Sequence, residues 1–133
     1  MFYVVPYVSV LVVFGIIDAG WLSTMGNTLY RPVLGDILLP SLHLGPAIAF
    51  YLTYPIGILV FAVLPSLRSG SATGAFCSGL LFGALAYATY DLTNYATLRN
   101  WTLQITVIDI CYGAATSGIA ATVAFLVTRK FSA

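Results

Sequence analysis

The chain has 133 residues, of which 60% are hydrophobic and only 7% are charged, and its formal net charge is +1. A soluble domain usually carries about 25% charged residues, so this chain lacks the polar surface that a water-soluble protein requires. The composition therefore indicates an integral membrane protein and excludes a nucleic-acid-binding protein, which needs a basic surface.

Four apolar runs are each long enough to cross the hydrocarbon layer as a helix, which takes roughly 20 residues. In chain order they cover residues 2–22, 46–64, 73–94 and 103–128. After the first run, Leu34, Ile37 and Leu38 recur at helical spacing and Pro32 suits a first helical turn, which predicts a short helix in the interface plane. The predicted fold is all-α, with residues 1–133 forming a single domain of four transmembrane helices plus this short interfacial helix.

The charged residues between the runs predict the orientation of the chain. An even number of spans places both termini on the side of Arg68, together with Arg129 and Lys130. The opposite side carries Arg31 and Arg99. Because cytoplasmic segments hold the excess of Lys and Arg, this distribution favours a multi-pass protein with both termini in the cytoplasm.

Small residues recur at every fourth position of the last two runs. The two ladders are Ala75, Gly79 and Gly83 on the third run, and Ala114, Gly118 and Thr122 on the fourth. Such ladders allow two helix backbones to approach closely enough for extensive van der Waals contact. They predict a tight pair of helices within one chain, with a contact between two copies of the chain as the alternative.

Three of the four acidic residues interrupt apolar runs: Asp18, Asp91 and Asp109. A carboxylate at the centre of a transmembrane helix costs about 2.5–3.5 kcal/mol on insertion scales, so it is rarely present without a role. At about 1.5 Å per residue, all three lie within roughly 10 Å of the membrane face that carries Arg31 and Arg99. Three close carboxylates cannot all be ionised cheaply, so a proton, a bound cation or an arginine should balance their charge.

Polar and aromatic residues share helix faces or depth with these aspartates and suggest a pocket. The candidate ligand-binding residues are Asp18, Asp91, Asp109, Tyr51, Tyr54, Tyr87, Asn94 and Tyr112. Trp21 and Trp101 fall at the same level, as residues of an interfacial aromatic belt do. His43 lies just outside this level, and Pro55 is expected to kink the second helix. The alternative is that the aspartates, Asp91 above all, only accept local hydrogen bonds and hold the bundle together.

The stretch YDLTNYATLRNW at residues 90–101 resembles a family of small bacterial integral-membrane proteins catalogued only as a domain of unknown function. The resemblance covers the whole chain, and its other carriers are DAGWL at 18–22, Tyr30-Arg31, Leu34-Gly35, Phe50-Tyr51, Tyr54, Asp109 and Gly113. It implies four helices with the motif at one membrane face, and it supplies no activity. The family pattern has tryptophan where this chain has Tyr112, so no role of an indole carries over to that position.

The scarcity of several residue types excludes other membrane activities. The single lysine, Lys130, lies outside the apolar runs, so no retinal Schiff base forms within the bundle. His43 alone cannot provide bis-histidine haem ligation, a zinc site or a di-iron site, so we expect no cofactor and no metal. Cys77 and Cys111 differ in depth by roughly 10 Å, too far for a disulfide, and we expect both to be buried packing residues.

Three functions remain open from the sequence. The first is binding or transport of a small cation, an amine or a proton-coupled solute by the aspartates and their aromatic neighbours. The second is a structural or assembly subunit of a membrane complex. The third and least favoured is a lipid- or isoprenoid-modifying enzyme in which an aspartate acts as general acid. The expected partners are the lipid bilayer, a small-molecule or lipid ligand, and a second copy of the chain.

Overall fold

The computed structural model describes residues 3–34 and 44–132, which are mostly helical, with short connections at 70–71 and 98–102 and no strand among them. Four helices are long and apolar enough to cross a membrane, and we number them in chain order. They cover Val4–Met25, Leu44–Ser69, Ala72–Thr97 and Leu103–Ser132. All four predicted spans are therefore confirmed, and their helices run a few residues beyond the predicted ends.

The outer surface of the bundle is apolar, as a membrane protein requires. Large hydrophobic side chains such as Ile16, Phe61, Leu85 and Leu126 are exposed on the four helices. In water such a surface would drive aggregation, whereas lipid tails solvate it at no cost. The helices and their surface together fit an integral membrane protein.

The two cysteines lie on this outer surface as free thiols, so the expectation that they are buried was wrong. Cys77 is two positions from the buried Ala75, and Cys111 is two positions from the buried Gly113. Two residues turn a helix by about 200°, which carries a side chain from the packed side to the outer side. The depth of a residue along a helix does not determine on which side of the helix its side chain lies.

The third and fourth helices pack at backbone contact. A Cβ atom on Gly83 would lie 2.3 Å from the carbonyl oxygen of Gly113, and one on Gly79 would lie 2.7 Å from that of Ser117. No side chain larger than hydrogen fits at either position without displacing backbone. The glycine ladder of the third helix is therefore used within the chain, as the sequence predicted.

The matching stripe on the fourth helix differs from the predicted one. Gly113, Ser117 and Ala121 face the glycines of the third helix, whereas Ala114 and Thr122 are only half-buried. Gly118 of the predicted ladder does contact the third helix. The stripe that packs there therefore combines Gly118 with residues one position earlier than predicted, because small residues occupy both adjacent stripes and spacing alone does not distinguish them.

The second helix is irregular near its middle. Pro55 lies inside the helix, and a π-helical turn covers Leu59–Val63. Proline has no N–H group, so the carbonyl of Tyr51, four residues earlier, loses its helical donor. Pro55 and one side of the π-helical turn are buried, and there neighbouring helices hold the distorted backbone in place.

The first helix continues without a loop into a π-helical turn, Gly26–Tyr30, and then into a short helix, Arg31–Leu34. The predicted interfacial helix thus begins directly on the first helix, with Pro32 in its first turn as expected. Ile37 and Leu38 lie outside the described residues.

Buried residues change character along the fourth helix. Near its start, Ile105 and Trp101 form a small apolar cluster with Leu29 and Leu34. The larger core lies toward the other end and contains Val10, Phe14, Ile58, Leu59, Ala62, Val63, Ala120, Ala121 and Ala124. Between the two clusters the buried residues of this helix are mainly polar: Thr106, Asp109, Thr116 and Ser117. The bundle therefore has a polar layer between two apolar ones.

Candidate functional site

Asp18 is the centre of a group of hydrogen bonds that ties three helices together. Its side chain is 7% exposed on the first helix. One carboxylate oxygen accepts a hydrogen bond from the hydroxyl of Tyr51 on the second helix. The other accepts one from the hydroxyl of Tyr112 on the fourth helix at 2.7 Å. We call these three residues the Asp18 cluster, in which both oxygens of the carboxylate are occupied.

Asp109 receives its hydrogen bond from outside the four long helices. Its Oδ1 atom accepts from the hydroxyl of Tyr30, the last residue of the π-helical turn. The Tyr30 oxygen in turn accepts from Trp21 Nε1 at 3.1 Å. In a straight α-helix, residues nine apart point in opposite directions and differ by about 13.5 Å along the axis. The chain therefore has to leave straight α-helical geometry for this bond to form, and the π-helical turn lies between the two residues.

Tyr30 is held in its neutral, hydrogen-donating form. Burial raises the pKa of its hydroxyl above the usual value near 10, and the hydrogen bond to the Asp109 carboxylate acts in the same direction. A phenolate at this position would be both desolvated and opposed by a carboxylate. Tyr30 therefore donates to Asp109 at neutral pH.

Asp91, on the third helix, differs from Asp18 and Asp109 in its hydrogen bonding. Its side chain is 0% exposed, and within residues 3–34 and 44–132 neither carboxylate oxygen has a hydrogen-bond partner. The carboxyl group of Asp109 lies close enough to share a proton with it, and to repel it when both are ionised. More than about 90% of buried polar groups in proteins are hydrogen-bonded, so an unpartnered buried carboxyl requires an explanation. We call Asp91 and Asp109 the acidic pair.

Trp21 joins the acidic pair to the Asp18 cluster. Its indole ring stacks on the Tyr112 ring, with the ring centroids 4.1 Å apart and the planes 19° from parallel. Its N–H group donates to Tyr30, which donates to Asp109. A displacement of Tyr30 therefore acts on Tyr112, and through it on Asp18, by direct contacts.

The other predicted residues take peripheral positions. Tyr54 shares a hydrogen bond of 2.7 Å with the hydroxyl of Ser117 and lies away from the aspartates. The Tyr87 ring lies over Gly113, where a Cβ atom would be 2.2 Å from it, and contacts the rings of Tyr54 and Tyr112 edge-on. Asn94 is half-buried, and no hydrogen bond joins its side chain to any of the three described aspartates. Tyr51 and Tyr112 are thus the predicted tyrosines that reach a carboxylate.

The charge of the aspartates is not balanced by arginine in the described part of the chain. Arg31 and Arg99 are exposed, and neither forms an ion pair with any of the three aspartates. Of the residues that the structure describes, no group of three His, Cys, Asp or Glu is arranged to hold a metal ion. His43 falls outside the described ranges.

Two participants were not among the predicted site residues. Tyr30 entered the sequence analysis only through the resemblance, in the Tyr30-Arg31 pair, and Trp21 was assigned to the aromatic belt. The sequence likewise did not indicate the hydrogen bond between Ser117 and Tyr54, because Ser117 lies among other small residues. Tyr30 follows the first apolar run by several residues, so a straight continuation of that helix would carry it away from the fourth helix.

Comparison with known proteins identifies a family and no activity. A family model described as predicted membrane protein, DUF2177, matches residues 3–126. No curated protein and no solved structure matches the chain. The matched range includes both the Asp18 cluster and the acidic pair. This chain therefore belongs to the DUF2177 family of predicted membrane proteins.

Proposed function

We propose that this protein binds a small monovalent cation, an alkali metal ion or a protonated amine, at the acidic pair. The observation that supports the proposal is the fully buried Asp91 carboxyl, which lacks a hydrogen-bond partner among the described residues. A buried carboxylate without a donor is destabilising, and a second carboxylate beside it increases the penalty. A bound cation removes both penalties at once, since it supplies the charge and the ligand contacts that the protein does not.

The chemistry of the pair favours a monovalent cation over a divalent one. Two carboxyl groups provide few oxygen ligands, whereas Ca²⁺ takes 6–8. An organic ammonium ion also fits, because it carries a single charge and donates its own hydrogen bonds to carboxylate oxygens. Protons compete for the same oxygens, so cation affinity should weaken as the pH falls, which makes any movement of the ion proton-linked.

The Asp18 cluster fits a different role. Both Asp18 oxygens already accept hydrogen bonds from Tyr51 and Tyr112, so a cation would have to displace a hydroxyl to bind there. We assign this cluster to holding the helices together.

The buried Asp91 carboxyl, which lacks a hydrogen-bond partner among the described residues, also supports a second candidate function. In this alternative the whole protein is a structural subunit, and a partner protein donates a hydrogen bond to Asp91.

The proposed location is the bacterial inner membrane with both termini in the cytoplasm. Arg68, Arg129 and Lys130 support this orientation, since they outnumber Arg31 and Arg99 on the other side. The acidic pair then lies near the outer face. Fusion of a reporter that is active only in the cytoplasm to the C-terminus tests this orientation, and an inactive reporter with normal expression would contradict it.

The fluorescence of Trp21 provides a direct test of cation binding. The chain has two tryptophans, so a Trp101→Phe background leaves Trp21 as the only one. In lipid nanodiscs, sodium, potassium or methylammonium chloride is titrated against N-methylglucamine chloride at constant ionic strength. At least one of these cations should give a saturable change in Trp21 emission, because Trp21 contacts Asp109 through Tyr30.

Two variants decide where the cation binds. Asp91→Asn should abolish the emission change, while Asp36→Asn, the same chemical change at the acidic residue outside the apolar runs, should preserve it. No saturable response to any of the three cations would contradict the proposal and favour the structural alternative. A response that survives in Asp91→Asn would place the cation elsewhere.

A further inference from the structure

We infer that Tyr30 is the gating residue of the acidic pair and that the segment Gly26–Leu34 is a movable cover over it. This inference rests on the proposed cation site, and it goes further by naming the residue that controls entry. It treats the Tyr30–Asp109 hydrogen bond as the closed state of the cover.

The burial of the acidic pair requires a movement before any ion can enter. Asp91 is 0% exposed and Asp109 is 8% exposed. Tyr30 occupies one oxygen of Asp109 from the side of the π-helical turn, whereas Asp91 and Asp109 themselves lie on two long helices packed at backbone contact. The segment that carries Tyr30 is therefore the element that can move at the lowest cost.

Among the residues that the structure describes, the segment is attached to the rest of the bundle by contacts of two kinds. Tyr30 is attached by hydrogen bonds to Asp109 and Trp21. Leu29 and Leu34 are attached by apolar contact with Trp101 and the start of the fourth helix. Release of both sets uncovers the site without disturbing the backbone contact between the third and fourth helices.

The π-helical turn gives the segment a place to bend. Its five residues, Gly26–Tyr30, have wider, less regular hydrogen bonding than the α-helix before them. Gly26 begins the turn, and a Cβ atom added to it would meet no other atom within 4 Å, so the backbone there is unobstructed. When the segment moves outward, Asp109 loses the Tyr30 hydroxyl and gains an open ligand position. Opening and cation binding therefore compete with closure for the same oxygen atom.

Thiol accessibility at position 91 tests the gate separately from cation binding. The background is Asp91→Cys with Cys77→Ser and Cys111→Ser, whose native thiols are exposed and would otherwise react. A charged methanethiosulfonate reagent is applied to the protein in nanodiscs, and its rate of attachment is followed by mass spectrometry. Because this protein lacks half of the acidic pair, the rate reports access from water and not cation binding.

Adding Tyr30→Phe should raise this rate about tenfold, since it removes a hydrogen bond to a charged acceptor from the closed state only. Tyr95→Phe is the matched control, because Tyr95 is exposed on the third helix, and it should leave the rate unchanged. Leu34→Ala loosens the apolar contact of the same segment without touching Asp109 and should also raise the rate, which decides the matter if Tyr30→Phe does not fold.

Several results would overturn the gate. They are equal rates in the background and in both segment variants, an equal rise in Tyr95→Phe, or no attachment in any variant. Failure of the Trp21 fluorescence titration would instead overturn the cation site while leaving a measured effect of Tyr30 on access intact. The two inferences thus fail by different observations.

Discussion

The Asp18 cluster and the acidic pair both bury aspartates and are connected through Trp21, yet they differ in how their carboxyl groups are bonded. Asp18 accepts two tyrosine hydroxyls, one on each oxygen. Asp91 accepts none from the described part of the chain, and its neighbour is another acid. A carboxylate whose two oxygens both accept hydrogen bonds, as in Asp18, holds helices together. A buried carboxyl without a donor, as in Asp91, can instead be stabilised by a bound ligand.

The comparison also shows why a count of buried acids is a poor guide to function. All three aspartates are at least nine-tenths buried, so burial does not distinguish them. What distinguishes the three aspartates is the number of hydrogen-bond donors that reach each carboxyl group. The cost of a buried polar group depends on whether its hydrogen bonds are made, and that cost has opposite consequences for substitution at the two places.

The largest expected effect comes from a substitution that separates the third and fourth helices and so disrupts both the Asp18 cluster and the acidic pair. Gly83→Ala places a methyl group 2.3 Å from the Gly113 carbonyl oxygen, which forces apart the two helices that carry Asp91 and Asp109. We expect a loss of about 3 kcal/mol in the free energy of unfolding, measured by thermal unfolding in mild detergent. Gly15→Ala, where nothing lies within 4 Å of the new methyl group, should change stability by less than about 0.5 kcal/mol. Equal stability of the two variants would contradict the close packing.

Removing the centre of the Asp18 cluster should destabilise the protein. Asp18→Ala leaves the Tyr51 and Tyr112 hydroxyls without their acceptor, and two interhelical bonds at about 0.6–1.7 kcal/mol each give a loss of about 1–3 kcal/mol. Adding Tyr51→Phe and Tyr112→Phe should recover part of this loss, because no buried hydroxyl is then left unpaired. A triple variant less stable than Asp18→Ala would show that the tyrosines act otherwise.

The same kind of change in the acidic pair should have the opposite sign. In cation-free buffer, Asp91→Asn replaces a buried carboxyl group beside another acid with a neutral amide that can donate to Asp109, so unfolding should cost about 1 kcal/mol more. The measurement is the same thermal unfolding, with Asp36→Asn as the control for the loss of one negative charge. A destabilisation like that of Asp18→Ala would mean that Asp91 already has a partner.

The smallest effect concerns the link between the two regions. Trp21→Phe keeps an aromatic ring on Tyr112 but loses the bond to Tyr30, so a double-mutant cycle with Tyr30→Phe should give a coupling energy of about 0.5 kcal/mol. Unfolding free energies of the four proteins provide the cycle. A coupling energy of zero would indicate that the Asp18 cluster and the acidic pair are energetically independent.

Much of the fold was predictable because hydropathy is a one-dimensional property. The four spans follow from runs of apolar residues. The membrane depth of Asp18, Asp91 and Asp109, calculated from helical rise, stays a prediction. The close pair of third and fourth helices follows from the glycines at 79 and 83. Each of these depends on the position of a residue along its own helix.

The predictions that were wrong, and the contacts that were missed, depend on rotation about a helix axis or on irregular backbone. On the fourth helix Gly118 packs against the third helix as predicted, but Ala114 and Thr122 are only half-buried. Cys77 and Cys111 were expected on the wrong side. The partner of Asp109 was missed because a π-helical turn, which no pattern in the sequence signals, brings Tyr30 back toward the bundle. The assignment of tyrosines to particular carboxylates likewise required coordinates.

The most direct test compares the stability of the parent protein and Asp91→Asn as a function of cation concentration. Without cation, the variant should be the more stable of the two. With sodium, potassium or methylammonium at a hundred times its dissociation constant, the parent should gain about 2.7 kcal/mol and become the more stable, while the variant should not respond. The two curves therefore cross. A parent that responds to none of these cations, or a variant that responds as the parent does, would contradict a cation site at the acidic pair.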